Sequence, residues 1–186
     1  MNVKEVIKQV AVLLQLQNVI DANLDDFENL DIQTKKDINL LISSANEVLS
    51  DIATEYLPLV STEKITVKNG KFDLQTLSKQ FYKMVDFSNG AYYKKDLDEL
   101  FANDGDYNIT YKYLPSELTI ENPEINFDER LTVYALSYGV AREYCMILGN
   151  YSESEMWDSK FKNAMQVATR KKDIVKLKIK RWCWWK

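Results

Sequence analysis

Residues 65–74 read ITVKNGKFDL, and this stretch decides the fold class. Ile65 and Val67 alternate with polar residues, Asn69-Gly70 follows, and Phe72 and Leu74 resume the alternation. Asn and Gly accept the positive φ of a tight primed turn, so the stretch predicts a β-hairpin. A period of two here, between flanks that repeat at helical spacing, makes the fold class α+β. It is a helical bundle, with N-terminal and C-terminal helix pairs, into which an antiparallel β module is inserted.

Downstream of the hairpin, FYKMVDF (81–87) alternates weakly and admits a strand, and Asn89-Gly90 reads as another turn. KKDLDELFANDGD (94–106) fits either a short helix or a polar excursion. YNITYKYL (107–114) places Tyr107, Ile109, Tyr111 and Tyr113 on one face, the clearest strand in the chain, which Pro115 limits. Tyr111 and Tyr113 are expected to pack against a helix. The β module thus covers about 62–114.

Upstream, Val3, Val6, Ile7, Val10, Leu13 and Leu14 share one face of a helix over 3–16. The acidic stretch NVIDANLDDFENLD (18–31) reads as an exposed loop or short helix. A second helix is predicted over 35–57. Thr34 and Asp37 mark its start, Leu41, Ala45, Val48, Leu49, Ile52 and Tyr56 form its apolar stripe, and Pro58 stops it.

The last third is helical again. Asn126 and Glu129 form a capping-box pattern before a helix over 127–148, with Leu131, Tyr134, Ala135, Tyr138, Ala141, Arg142, Cys145 and Leu148 stacked along it. Gly149 ends that helix. Ser152 and Glu155 form a second capping box for a helix over 153–171, whose inner side carries Trp157, Phe161, Ala164, Met165 and Ala168. The short connection makes the two helices antiparallel neighbours.

The 186 residues suit one domain with an extension, here a domain over 1–172 and a docking tail over 173–186. At 46% hydrophobic residues, with five glycines and three prolines, the chain has enough apolar material for a core. The net charge of -4 is unevenly placed. Residues 1–159 hold fourteen basic and twenty-seven acidic side chains, whereas 160–186 hold ten basic and one acidic. Such a single-sign end implies contact with something acidic, either phosphate or a protein face.

Within RKKDIVKLKIKRWCWWK (170–186), Val175, Leu177 and Ile179 alternate with lysines and predict an edge-seeking strand, followed by an aromatic plug. Val175, Leu177, Ile179, Trp182, Trp184 and Trp185 are the candidates for docking on a neighbouring protein. Arg170, Lys171, Lys172, Lys176, Lys178, Lys180 and Arg181 are the candidates for contact with DNA or an acidic surface. A fold-back of the tail over its own core is the competing expectation.

Site chemistry is sparse. The chain has no histidine, which removes the commonest general base and metal ligand near neutral pH. Neither a nucleophile elbow, a phosphate-binding loop, a dinucleotide fingerprint nor a zinc cysteine cluster occurs. With Gly105 at loop position six, a calcium loop would place Leu100, Ala102 and Tyr111 at positions one, three and twelve, where its oxygen ligands are missing, so Asp104-Gly105-Asp106 reads as a turn. Asp25-Asp26 reads as a solvated acidic face, and Cys145 as a buried core residue. No cofactor, metal or membrane span is expected, and two distant cysteines with no signal-peptide pattern imply an intracellular setting.

Three stretches resemble the head–tail adaptor (connector) proteins of tailed bacteriophages, which form the neck ring below the portal. They are NEVLSDIATEYLPL (46–59), TYKYLPSELT (110–119) and YALSYGVAREYCMILGNYSESEMWDSKFKNAM (134–165), the last with Tyr144, Gly149, Tyr151, Trp157 and Phe161 as landmarks. The ending KRWCWWK has no counterpart in that pattern. The resemblance implies helices around a β module and a homo-oligomeric ring, often of twelve subunits. It also implies contact with the portal protein and with tail or further neck proteins, and nonspecific passage of DNA through a channel. It implies no enzyme activity, assembly in the host cytoplasm and a final place in the virion neck. The alternative read from the tail is a sequence-nonspecific nucleic-acid-binding module. A small enzyme or a membrane-surface protein is the third reading, since Trp182, Trp184 and Trp185 lie beside lysines. The alternation at 175–179 argues against an amphipathic helix there.

Overall fold

The computed structural model describes residues 1–88 and 92–170, so the Asn89-Gly90 turn and the strand and plug expected beyond Arg170 lie outside the described residues. In chain order the elements are α1 (Val3–Leu13), α2 (Gln17–Asp21), α3 (Ile32–Asp51), β1 (Leu59–Val67), β2 (Lys71–Asp73), β3 (Phe81–Phe87), β4 (Lys94–Asp96), β5 (Glu99–Phe101), β6 (Gly105–Tyr113), α4 (Val133–Ile147) and α5 (Tyr151–Thr169). The fold is mixed α+β. Its strands form two antiparallel three-stranded sheets, ordered β1-β6-β3 and β2-β5-β4.

The turn at 69–70 forms as its sequence predicts. Asn69 and Gly70 have φ of 55° and 74°, and Lys68 and Lys71 exchange both backbone hydrogen bonds at 3.3 and 3.1 Å. Beyond that rung the two strands part. β1 runs along β6 from Leu59↔Tyr113 to Val67↔Gly105, while β2 pairs with β5. The parting lets the second sheet close over the first. Leu74 and Leu100 thereby join Ile65, Val67, Phe87, Ile109 and Tyr111 in one buried cluster. The Asp104-Gly105-Asp106 stretch serves this junction, because the Asp104 carboxylate accepts from the Gly70 N–H at 2.6 Å.

Two expectations for this region change, and the third is met. Residues 94–101 form neither a helix nor a polar excursion but the hairpin β4–β5, turned at an exposed Leu97 with φ of 47°. Tyr111 packs within the β module rather than against a helix. It stacks on Phe81 with ring centroids 5.8 Å apart, and its hydroxyl donates to Glu63. The 81–87 stretch is a strand, but its pairing with β6 slips at two places, which accounts for its weak alternation.

Helix limits also shift. The first helix stops at Leu13 instead of residue 16, and the short α2 follows, its last carbonyls taken up by the Lys8 ammonium. Asp31, not Thr34, caps α3 by accepting from the Thr34 N–H at 2.9 Å. The end of the helix widens into a π turn over Ile52–Tyr56, closed by Leu57 N–H donating to the Ile52 carbonyl at 2.8 Å. The α4 helix starts at Val133 rather than 127, because Thr132 caps it and Asp128 is occupied by the Arg130 side chain and backbone. Those bonds hold the Asp128 carboxyl down to about 2. Asn150, not Ser152, precedes α5, which begins at Tyr151 and ends at Thr169, not 171.

Between α4 and α5 the sequence reading is met closely. Gly149 adopts φ of 78°, its N–H reaches the Met146 carbonyl at 3.0 Å, and the Asn150 N–H reaches the Cys145 carbonyl at 2.8 Å. This paired closure satisfies two carbonyls of the last turn and reverses the chain at once.

The expected two helix pairs merge into one body, since α4 packs against α1 and α3 as well as α5. Residues 114–132 lie over that body and add Leu118, Ile125 and Leu131 to its core. The side-chain amide of Asn46 binds both the N–H and the carbonyl of Leu118, at 2.8 and 3.1 Å. Gly139 is where α4 comes closest to its neighbours. A Cβ there would lie 2.5 Å from Cγ1 of Val48 and 3.0 Å from Cε2 of Phe161. Gly139→Ala should therefore lose about 1–3 kcal/mol to overpacking, outweighing the gain in helix propensity. Urea titration checks this, and Gly139→Ala/Val48→Ala should be less destabilised than the separate losses added together.

Candidate functional site

Three features of the described residues are candidates, and the first is charged. Arg142 projects from α4 with its side chain 14% exposed. Its guanidinium binds Asp51 of α3 at 3.2 Å, Glu143 of its own helix, and Asp158 of α5 at 3.4 Å. It also lies 5.1 Å from the centre of the Phe161 ring. Lys162 adds a second cation to Asp158 at 2.6 Å. Burial would raise the Asp158 carboxyl, but the bonds and charges of Lys162 and Arg142 outweigh it and hold it below the usual range. An arginine stays charged and has no proton to exchange near neutral pH. The cluster ties three helices together. The sequence held its signal, an arginine on the apolar stripe of a helix, although not its partners.

The second feature is a groove of about 720 Å³ between the acidic stretch, α3 and the 117–121 loop. Phe27, Ile42, Leu118 and Ile120 supply its apolar surface, with Ile42 and Leu118 buried. Around them stand the carboxylates of Asp25, Asp26, Glu28, Glu117 and Glu121, all exposed. Asp25 is neutralised by Lys4 at 2.6 Å. Among the described residues the other four have no ion-pair partner. The sequence reading of a solvated acidic face holds for Asp25 and Asp26, but the apolar floor beside them was not foreseen. Half of that floor, Leu118 and Ile120, comes from a loop far downstream in the sequence.

The third feature is the turn between α4 and α5. Met146, Ile147, Leu148, Tyr151 and Met156 are all exposed there, Tyr151 at 69%. Adjacent exposed side chains of this size form an apolar patch that water does not favour.

Of the residues the sequence assigns to docking or phosphate contact, Arg170 alone is described. It is exposed at the C-terminus of α5 and borders a shallow cavity with Arg130 and Val167. Lys171, Lys172, Val175, Lys176, Leu177, Lys178, Ile179, Lys180, Arg181, Trp182, Trp184 and Trp185 lie outside the described residues.

Catalytic features are weak in the described part. Cys145 is 2% exposed, and burial, with the nearby Glu153 carboxylate, pushes its thiol up to about 11, so it is no nucleophile at neutral pH. No cluster of three metal-ligating side chains occurs among the described residues. No helix among them is long and apolar enough to cross a membrane. No protein-family model and no curated protein matches the chain.

Arg142→Met should lower stability by about 1–3 kcal/mol, because it leaves Glu143 and the half-exposed Asp51 without their counter-charge and Asp158 with Lys162 alone. The sign of its pH dependence follows from Asp158, whose folded value is lowered. The stabilisation Asp158 gains from Arg142 is complete above the ordinary carboxylate value near pH ~4 and is lost as pH falls through the folded one. The gap between the parent protein and Arg142→Met, measured by urea titration, should therefore be widest above pH ~4 and narrow below it.

Proposed function

We propose that the protein is a structural adaptor of a tailed-phage neck, a subunit of an oligomeric ring that joins the portal to the tail and lines the DNA passage. The observation that carries this reading is the exposed apolar turn of Met146, Ile147, Leu148, Tyr151 and Met156, which calls for a protein partner. It falls within the 134–165 stretch that resembles the adaptor family. Open sheet edges support the reading, since among the described residues β1 and β3 each have one unpaired side and carry exposed Val60, Tyr82 and Val85.

A ring requires heterologous contacts, one face of a subunit meeting a different face of the next. The apolar turn on one subunit and an open strand edge on its neighbour make such a pair. The acidic body of residues 1–159 leaves phosphate free to slide, while the basic tail supplies nonspecific attraction or a hold on the portal.

Immunogold labelling of native particles with negative-stain imaging tests the assignment. Label at the head–tail junction is expected, and particles unlabelled there would overturn it. At the subunit level, Ile147→Glu/Tyr151→Ser should weaken self-association about tenfold or more, a loss of ~1.4 kcal/mol. Sedimentation velocity over a concentration series reads that change, with circular dichroism confirming an unchanged fold.

A further inference from the structure

The groove beside α3 has an apolar floor and an acidic rim, and the described part of the chain offers nothing that fills it. Segment 171–186 has the opposite character. It carries Lys171, Lys172, Lys176, Lys178, Lys180, Arg181 and Lys186 against a single acid, Asp173, together with Trp182, Trp184 and Trp185. We propose that, in the free subunit, this segment docks into the groove of its own chain.

Charge and shape complementarity carry the proposal. Asp26, Glu28, Glu117 and Glu121 have no ion-pair partner among the described residues, and the segment is cationic. Lysines along the segment meet these rim carboxylates. The groove volume of about 720 Å³ exceeds one indole ring, so more than one tryptophan fits over Phe27, Ile42, Leu118 and Ile120. An indole is amphipathic, and its N–H finds acceptors at a carboxylate rim.

Length permits the contact. Trp182 lies twelve residues beyond Arg170 and Lys186 sixteen, reaches of roughly 40 and 55 Å when extended. A globular body of this size is roughly 40 Å across. The segment leaves from Arg170 on the surface, so a path around the body is open to it. Being tethered, it competes at an effective concentration near the millimolar range, which a free partner at micromolar levels does not match. The same segment then becomes available to a partner only when that partner binds it more tightly than the groove does. This gives the free subunit a cover over its apolar floor and withholds the tail until assembly. The proposal concerns the isolated chain and stands or falls separately from the ring.

The chain carries its own probe in Cys183, between Trp182 and Trp184. Ser43 lines the groove and is exposed, so Ser43→Cys places a second thiol there. A disulfide forms only when the Cα atoms come within about 7 Å. Ser159→Cys, exposed on α5, is the control outside the groove. Full-length variants at micromolar concentration are oxidised mildly, and products are resolved without reductant. Ser43→Cys is expected to give an intramolecular 43–183 disulfide at least tenfold faster than the 159–183 product, the advantage expected of a docked tether. Glu117→Lys/Glu121→Lys in the Ser43→Cys background should abolish that advantage, as should ~1 M salt, where the screening length falls to ~3 Å. Equal rates for the two cysteines, or disulfides found only between different chains, would overturn the proposal. So would a preference untouched by the charge reversal. Because Glu117 and Glu121 are exposed loop residues, the reversal leaves the fold intact, and circular dichroism verifies it.

Discussion

The helical body depends on an absence, the missing side chain at Gly139. With no Cβ there, α4 approaches Val48 of α3 and Phe161 of α5 more closely than any other residue would permit. That approach puts α4 at the centre, and other features follow from its position. Leu136, Val140 and Ala141 lose all contact with water. Arg142, one turn beyond, reaches carboxylates on both flanking helices. Its charge is tolerated because the guanidinium satisfies three acceptors and covers the Phe161 ring, so close packing and the ion cluster reinforce each other.

The β module hangs from this body by its own pairing. β1 leaves directly after the π turn, and β6 returns beside it, with Leu59 opposite Tyr113. Outgoing and incoming chains therefore cross on the same rung, and everything between them forms a second, separate core. Within it, Glu63 accepts from Ser78 and from the buried Tyr111 hydroxyl. Burial would raise the Glu63 carboxyl, but the bonds from Ser78 and Tyr111 and the charge of Lys79 outweigh it and keep it ionised. The polar end of a buried tyrosine is thus satisfied without water.

Local signals in the sequence were legible in proportion to how little they needed distant partners. Asn69-Gly70 and Gly149 are conformational requirements of two or three residues, and both turns form as read. Strand β6 was legible because burial on one face imposes strict alternation. What could not be read depended on sequence separation. Phe72 and Leu74 resume the alternation after the turn, yet the choice of β5 over β1 as partner depends on Leu100 closing a core. Thr34 looked like a cap, but Asp31 won because its carboxylate accepts from the Thr34 N–H itself. Asn126 failed because Asp128 captured Arg130 and formed a turn before a helix could start. The groove was hidden for the same reason, since its floor joins Phe27 and Ile42 to Leu118 and Ile120.

The charge division along the chain acquires a physical meaning beside this geometry. An acidic body repels copies of itself, which opposes the association that the apolar α4–α5 turn favours. Association must then come from short-range burial at that turn or from a segment of opposite sign. A basic tail on an acidic body is such a segment, and it is attracted to any subunit, its own first. If the tail docks as proposed, tethering favours its own groove in dilute solution, and copies held side by side would bring neighbouring grooves to the same effective concentration. Opposite charges on tail and body attract within one chain or between copies only at separations near a Debye length of about 8–10 Å.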